Sequence, residues 1–473
     1  MSTAQKTLPA AITSIPLSMW MQAGIITLGA FCTMLSATLL SAALPTIASS
    51  LGVSEAAIQW LASAYLMALA AGVPVSAWAS RRFGPTQLWL AGLALFAAFS
   101  ALCALAPSYE LLLFARIGQG LAGGLLVPAG QTVVGMVVGR ERLGRVVGTI
   151  GVAIVLAPVL GTSLGAMLLG SAGWQSLFWV NVPLSILALI AGFYGLPRPV
   201  VAAKGPQRLD WLGLFLILCS LPLLMEGMKA MGATASGDQW HWVALGIGAL
   251  FAVLFVYRSL RVDSPLLYLR LFKQRSFALS ALLMFLGGAI NFGAQFLLPL
   301  YFRDIRHESL AAVGLLLTPQ LLGTAIGFPV AGYLSDKLGP RWVLIAGGLI
   351  TALGTVPLAL MTAEGNYTVF GIAIAARGFG LALATVPAMA AGMAMAGPAH
   401  LADAAPILNI LQRMGAVAGT AFVSAIYAAL AWSSHDDLAG FQYANWVLTA
   451  GAMLIAVAAT FIGKEAGPSK RQA

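Results

Sequence analysis

Fourteen long apolar segments are the feature that most constrains what this chain can fold into. A helix needs about twenty apolar residues to cross the hydrocarbon core of a bilayer. The chain is 60% apolar and 8% charged, whereas soluble domains carry roughly 25% charged residues, so a soluble globular fold is excluded. We therefore predict an all-α polytopic membrane protein. The predicted spans, numbered in chain order, are 20–45, 57–79, 86–107, 110–137, 146–170, 175–196, 210–228, 239–257, 277–301, 309–333, 341–362, 367–396, 402–432 and 441–463.

The positions of Lys and Arg predict the orientation of these spans, because cytoplasmic loops carry an excess of both residues. With both termini in the cytoplasm, 19 of the 25 Lys and Arg residues fall in cytoplasmic segments and 3 in outer segments. The net charge of +10 thus indicates the direction of insertion, and we expect no binding of nucleic acid. Three arginines remain inside spans: Arg116, Arg377 and Arg413.

The two ends of the sequence repeat each other. Gly84-Pro85 opens the third span and Gly339-Pro340 opens the eleventh, 255 residues later, while Arg116 in the fourth span matches Arg377 in the twelfth. Spans 1–6 therefore correspond to spans 9–14 in the same orientation, which is typical of parallel repeats about an axis along the membrane normal. We predict an N-terminal six-helix bundle over 1–197, linkers and two inserted spans (7 and 8) over 198–275, and a C-terminal six-helix bundle over 276–473.

Short motifs occur along almost the whole chain. They are Ala43-Leu44-Pro45 at the end of span 1, Trp60-Leu61-Ala62-Ser63-Ala64-Tyr65 in span 2, Arg116-Ile-Gly-Gln119-Gly120 in span 4, Pro158-x-x-Gly161 with Gly165 in span 5, and Gly332-Tyr-Leu-Ser-Asp336-Lys337-x-Gly339-x-Arg341 before span 11. As a set they resemble the major facilitator superfamily, specifically its fourteen-helix drug:proton antiporter branch. The resemblance implies two six-helix bundles around a central cavity with alternating access, in a bacterial inner membrane.

The resemblance also implies a function, namely a secondary active transporter that exports small amphipathic compounds of the multidrug type. Its expected partners are a small-molecule substrate and the lipid bilayer; we expect a monomer without cofactor or metal. Coupling to protons is implied by the resemblance alone. Two alternatives are open: a facilitator or exchanger of anionic or neutral metabolites without proton coupling, and a receptor-like protein that transports nothing. The aqueous segments show no nucleophile–base pair, metal set or phosphate loop, so we expect no enzymatic activity.

The sequence departs from the family pattern at two charged positions. The family usually carries an acid in span 1 ahead of a threonine, whereas this chain has Ser36 ahead of Thr38. The acid usual in the loop after span 2 is replaced by Arg81. All 15 Asp and Glu residues lie outside the central parts of spans 1–6 and 9–14, so this core has no carboxylate for a proton relay. Arginines without carboxylates suit an anion better than a lipophilic cation.

The interior arginines are the first candidates for functional residues. A charge at a helix centre costs roughly 2.5–3.5 kcal/mol on insertion scales, so these side chains must face the bundle interior or water. Arg116, Gln119 and Gly120 share one helical face, and we predict that they line the translocation pathway together with Arg377. The alternative is a structural arginine bonded to carbonyls of neighbouring helices. For Arg413 the alternatives are a functional role and snorkelling from near the inner end of its span.

Three further groups complete the prediction. Asn291 and Gln295, four residues apart in span 9, are predicted to contact the substrate pathway, with hydrogen bonding between helices as the alternative. In span 5, Pro158, Gly161 and Gly165 allow a bend and close helix packing, and the resemblance implies that this helix seals the inner cavity. Ordinary packing of small residues is the alternative there.

The segment between spans 10 and 11 is predicted to form a gating loop. Its candidate residues are Gly332, Asp336, Gly339 and Arg341. The Asp336 carboxylate can lie against a helix N-terminus, where the helix dipole stabilises it. By resemblance, Asp336 closes the inner gate through Arg341; a plain solvated turn is the alternative.

Overall fold

The computed structural model describes residues 15–40, 43–139, 142–197, 208–232, 239–362, 364–397, 400–434 and 437–463. Within these ranges the chain is helical and contains no strand, and a helix lies at each of the fourteen predicted spans. The spans are Leu17–Leu39, Glu55–Phe83, Pro85–Ala104, Tyr109–Val138, Leu143–Ala172, Asn181–Gly195, Trp211–Gly232, Gln239–Arg261, Arg275–Leu300, Thr318–Leu338, Pro340–Ala359, Tyr367–Ala396, Leu401–Ser434 and Asp437–Ala459.

Most of these helices can cross a bilayer. In the described part of the chain, 13 helical segments are long and apolar enough to do so. Span 5 is a helix of 30 residues, and its described stretch Leu143–Pro158 is apolar. Smaller elements connect the spans: α-helices Leu44–Leu51, Ser176–Trp179 and Leu310–Leu316, a 3-10 helix Leu269–Lys273 and a π-helical turn Tyr301–Ile305.

Helix boundaries follow local chemistry. The Ser54 and Ser108 hydroxyls accept hydrogen bonds from backbone N–H groups in the first turns of spans 2 and 4, which satisfies donors that have no partner within the helix. Gly84 (φ 92°) and Gly339 (φ 83°) form the tight turns before spans 3 and 11, a backbone conformation that favours glycine. Each is followed by a proline in the first turn of the next helix. The two halves of the sequence repeat therefore share the same turn conformation as well as the same residues.

Two predicted boundaries were wrong. Span 1 was expected to continue to residue 45, but its helix ends at Leu39 and a separate helix begins at Leu44. The expected loop from Gly332 is helical as far as Leu338, because span 10 continues for another turn and a half and only Gly339 adopts the turn conformation. All seven residues from Gly332 to Leu338 are therefore positioned by a helix with fixed side-chain directions.

The helices associate in two groups and an inserted pair. Spans 1–6 pack mainly on one another, as do spans 9–14; we call these groups the N-terminal and C-terminal halves. Spans 7 and 8 pack on each other, and span 7 also contacts span 2 of one half and span 13 of the other. Part of the first predicted domain boundary, 198–207, lies outside the described residues, and the three-part division stays a prediction.

The halves meet through spans 5 and 10 and through spans 2, 4 and 13. These contacts include the last turns of spans 2 and 10 and the first turns of spans 5 and 13. We call this the basic end of the bundle, since it carries Arg81, Arg82, Arg145 and Lys337. Somewhat deeper, the Asn409 amide of span 13 donates a hydrogen bond to the Gln131 side chain of span 4 at 2.6 Å.

Candidate transport site and gate

Arg116 lies at the centre of a buried polar cluster in the N-terminal half. One guanidinium nitrogen donates to the Ser36 hydroxyl of span 1 at 3.1 Å and to the Gln119 side-chain oxygen at 2.7 Å. Gln119 in turn donates to the Ser100 hydroxyl of span 3 at 2.5 Å. The guanidinium carbon is 4.2 Å from the centre of the Tyr65 ring, a cation–π geometry. Arg116 and Gln119 are fully buried.

This cluster leaves part of the Arg116 charge without a partner. Its Nε and its second terminal nitrogen have no hydrogen-bond acceptor among the described residues. Gly120, next to Gln119, packs where a Cβ would overlap the Tyr65 carbonyl oxygen, so span 2 approaches span 4 closely enough for the stacking. The predicted face of span 4 is thus assembled around Arg116, while its lining of a pathway stays a prediction.

Arg377 has a different environment in the C-terminal half. Its guanidinium donates to the Ile290 carbonyl of span 9 at 2.6 Å and to the Gln320 side-chain oxygen of span 10 at 3.2 Å. The side chain is fully buried, and Nε lacks an acceptor. This is the bonding of an arginine that holds neighbouring helices together, although a role in the pathway stays a prediction.

Arg413 lies well inside span 13. It is twelve residues from the start of the helix, about 18 Å at 1.5 Å per residue, and the choice between a functional role and snorkelling stays a prediction. Arg413 is one of the residues that line a small apolar cavity between spans 2, 7 and 13.

The other predicted pathway residues are not brought to these arginines. The Gln295 amide donates to the Asn291 side-chain oxygen at 3.3 Å, and Gln295 is exposed on span 9. The pair therefore bonds within its own helix, and its contact with substrate stays a prediction.

An ion pair joins the halves through spans 5 and 10. The Asp336 carboxylate accepts from Arg145 Nε at 2.8 Å and from the Arg145 backbone N–H at 3.3 Å. Arg145 lies in the first turn of span 5, so the carboxylate lies against a helix N-terminus, where the dipole favours it. A Cβ on Gly332 would overlap the Gly144 carbonyl, so these two glycines let the helix backbones meet beside the ion pair.

The expected partner of Asp336 was wrong. Arg341 instead lies with its guanidinium carbon 5.8 Å from the Trp342 ring, and its Nε is buried without an acceptor. The physical reason is that span 10 remains helical to Leu338, which directs Asp336 toward span 5. Arg341 follows the turn at Gly339, in the first turn of span 11.

A second ion pair joins the halves through spans 2 and 13. Arg81, in the last turn of span 2, is paired with Asp403 in the first turn of span 13. Arg81 also donates to the carbonyls of Pro265 and Leu266 at 2.9 and 3.2 Å, in the segment that follows span 8. The Tyr268 backbone N–H from the same segment donates to Asp403 at 3.3 Å. The inserted spans are thereby tied to this ion pair.

The small residues of span 5 contact two different partners. Gly148 and Gly151 pack against Phe328 of span 10, in the other half. Gly161 and Gly165 lie beyond Pro158 and pack against Thr38 and Leu39 of span 1. Close packing at the predicted positions is therefore present, while the sealing role of this helix stays a prediction.

The sequence reasoning missed the residues that complete these sites. Arg145 and Asp403 were not selected, and neither were the Ser100 and Gln320 partners of the buried cluster residues. A signal was available for the ion pairs: Arg81 and Asp336 are 255 residues apart, and Arg145 and Asp403 are 258 apart. The repeat thus places an arginine and an aspartate at each of two sets of matched positions. Each arginine can therefore pair with the aspartate of the other set, as Arg81–Asp403 and Arg145–Asp336 do.

Comparison with known proteins identifies the family. The model of the Major Facilitator Superfamily matches residues 26–307 and 277–473, so the chain belongs to that superfamily and is a secondary transporter. The multidrug resistance protein B homolog of Mycobacterium tuberculosis is 30% identical over 408 residues, covering 85% of this chain and 75% of that protein. The lincomycin resistance protein LmrB of Bacillus subtilis is 29% identical over 413 residues, covering 86% and 85%. These relatives confirm the resemblance to the drug-antiporter branch.

Solved structures confirm the fold. The crystal structure of the human organic anion transporter MFSD10 has a TM-score of 0.67 at 17% identity and covers 94% of this chain and 100% of that one. The proton:xylose symporter XylE bound to a glucose analogue has a TM-score of 0.63 at 15% identity, covering 94% and 96%.

Proposed function

We propose that this protein exports small amphipathic compounds from a bacterial cytoplasm by alternating access. The observation that carries the proposal is the pair of ion pairs at the basic end, Arg81–Asp403 and Arg145–Asp336, each of which joins one half to the other. The names of the relatives from M. tuberculosis and B. subtilis support export of drug-like compounds. The excess of Lys and Arg at the basic end supports its placement in the cytoplasm.

In this mechanism the two ion pairs form the inner gate. Both pairs are closed here, so a substrate cannot enter between the halves from the basic end. Opening requires both carboxylates to leave their arginines, and Asp403 is only 1% exposed while Asp336 is 9% exposed. Separating buried charges is costly unless each regains water or a new partner. Release of the gate therefore exposes four charged groups to solvent at once.

A second candidate, a facilitator or exchanger without proton coupling, has one observation in its favour. Among the described residues of spans 1–6 and 9–14, every Asp and Glu lies within the first or last turn of its helix. A proton relay in the pathway normally uses Asp, Glu or His. The helix interiors that the structure describes offer arginines instead.

Flux measurements in liposomes test both candidates. Purified full-length protein would be reconstituted, and uptake of a cationic, a neutral and an anionic naphthalene derivative compared with that of protein-free liposomes, with and without an imposed pH gradient. Uptake into the liposomes that is driven by the pH gradient supports proton antiport. Uptake that is unaffected by the gradient supports the facilitator. Absence of protein-dependent flux for all three compounds would contradict both.

A further inference from the structure

The Asp403 carboxylate has a further neighbour at the basic end, a histidine from its own half. His400 lies three residues before Asp403, and its Nδ1 is 3.9 Å from Asp403 Oδ2. Arg81 and the Tyr268 backbone N–H both donate to the other carboxylate oxygen, Oδ1. A separation of 3.9 Å is too long for a hydrogen bond but short enough for an ion pair when the imidazole is charged. The charge of His400 therefore decides how strongly it attracts this carboxylate.

His400 is positioned by an aromatic stack. Its imidazole lies parallel to the Tyr268 ring, with 4.3 Å between the ring centres and an angle of 6°. Tyr268 belongs to the segment after span 8 that also bonds to Arg81 and Asp403. The His400 side chain is 37% exposed, whereas that of Asp403 is 1% exposed. The imidazole can therefore exchange a proton with solvent at the basic end while it lies beside a buried carboxylate.

The ionisable groups around His400 come from three elements. Asp403 follows it in the first turn of span 13, and Arg81 of span 2 reaches the same carboxylate from the other half. The Tyr268 phenol lies over the imidazole from the segment after span 8. Of these residue types, only histidine ordinarily changes its charge between pH 5 and 8. A change of charge in this cluster near neutral pH is therefore expected to involve the imidazole.

A charged imidazole meets different surroundings in the closed and the open gate. In the closed gate Arg81 already neutralises Asp403 and repels a second cation beside it. When the halves separate, Arg81 leaves with the N-terminal half, whereas His400 stays next to Asp403 on the C-terminal half. The charged imidazole is then the partner of the carboxylate. The dipole of span 13 disfavours a cation at the start of the helix in both states, so it does not alter this difference.

We propose that His400 becomes the ion-pair partner of Asp403 when the inner gate opens, so that protonation of the imidazole favours the open gate. The proposal rests on the inner gate proposed above and gives that gate a dependence on the pH at the basic end. A state that binds a proton more tightly gains population as the pH falls, and here that state is the open one. Since His400 is exposed at the basic end, it gains and loses its proton on that side and regulates the gate without carrying protons across the membrane.

Distances between spin labels test the effect of pH without any substrate. Labels on Arg82→Cys and Lys337→Cys, at exposed positions of spans 2 and 10, report the separation of the halves in purified full-length protein without its native cysteines. Between about pH 8 and about pH 5.5, the ratio of long to short distances is expected to rise by about twofold to fivefold, the range of a partly exposed ion pair. No change, or a shift toward short distances, would overturn the proposal, and this comparison needs no substitution of His400.

Three variants in the labelled protein identify the residue responsible. His400→Gln is neutral at every pH and is expected to abolish the response, whereas His400→Lys is charged throughout and is expected to show long distances at both pH values. His241→Gln is the matched control, because His241 lies near the start of span 8, beside Glu226 and at the other end of the bundle. A response that persists unchanged in His400→Gln would belong to another group of the gate, such as Asp336, and would overturn the proposal.

The outcomes also separate this inference from the gate itself. Asp336→Asn weakens the other ion pair of the gate and is expected to lengthen the distances at either pH. If neither Asp336→Asn nor acid lengthens them, the proposed gate fails. If Asp336→Asn lengthens them and acid does not, the gate stands and only the role of His400 is overturned. A response to acid that disappears in His400→Gln and persists in His241→Gln supports both.

Discussion

At the basic end, the N-terminal half contributes Arg81 of span 2 to one ion pair, and the C-terminal half contributes Asp336 at the matching position of span 10 to the other. The partners of these two residues also lie at matching positions with opposite charge: Arg145 in span 5 and Asp403 in span 13. The repeat therefore preserves where the halves touch but not which half carries which sign. The apparent loss of an acid at Arg81 is compensated on the opposite half.

The two pairs also differ in what surrounds them. Arg81 and Asp403 are bonded to Pro265, Leu266 and Tyr268, which follow the inserted spans. The Asp336 carboxylate is held from span 5, through the side chain and the backbone N–H of Arg145. One pair thus depends on the insertion and the other on two helices only, which variants can separate.

The largest effect is expected where like charges are forced together. Asp403→Arg would place two arginines face to face beside the segment after span 8, and flux is expected to fall by about tenfold or more, because breaking a buried pair costs about 3–5 kcal/mol. The double variant Arg81→Asp with Asp403→Arg should regain part of the flux in liposomes. Recovery is partial because an aspartate at 81 cannot donate to the carbonyls of Pro265 and Leu266. If the double variant shows no more flux than Asp403→Arg alone, pairing between positions 81 and 403 is contradicted.

The fold was predictable from the sequence, and so was part of the site. Apolar length alone located the helices, and the spacing of Arg116 and Gln119 placed them on one face. The Ser36, Ser100 and Tyr65 contacts were not predictable, because each comes from another helix and depends on how the helices pack. The partner of Asp336 was missed because the motif was interpreted as a loop, whereas the helix to Leu338 fixes its direction.

A smaller effect is expected from weakening the second pair. Asp336→Asn keeps a hydrogen-bond acceptor beside Arg145 but removes the negative charge, which should weaken the contact by about 1–3 kcal/mol. Spin labels at the exposed matched positions Arg82 and Lys337, in a background without the native cysteines, would show a larger fraction of long distances. Asp304→Asn is the control, since its partner Arg303 is the adjacent residue, outside the basic end. An unchanged distance distribution for Asp336→Asn would exclude this pair from the gate.

The two buried arginines provide a comparison inside the membrane. Ser36 and Asn291 are matched repeat positions, 255 residues apart; Arg116 bonds to Ser36 itself and Arg377 to the carbonyl of Ile290. Ser36→Asp would give Arg116 the acid that span 1 lacks and is expected to stabilise the protein by about 1–3 kcal/mol. Asn291→Asp should stabilise less, because Arg377 leaves only its Nε without an acceptor, whereas Arg116 leaves both Nε and a terminal nitrogen without one. Thermal unfolding of both variants, with Ser36→Asn as the neutral control, measures the difference; an equal gain at both positions would contradict it.

The smallest effect on stability is expected at Tyr65, and it tests which contact holds Arg116. Tyr65 and Gln320 are matched positions, yet Tyr65 offers Arg116 the face of a ring, whereas Gln320 offers Arg377 an oxygen. Tyr65→Phe keeps the ring and loses only the hydroxyl bond to the Thr33 carbonyl at 2.8 Å, so destabilisation of about 1 kcal/mol is expected. Tyr65→Leu should cost more, because the cation–π contact is lost as well. If Phe and Leu lower the unfolding temperature equally, the hydroxyl and not the ring holds the cluster, and the two halves differ less than their contacts indicate.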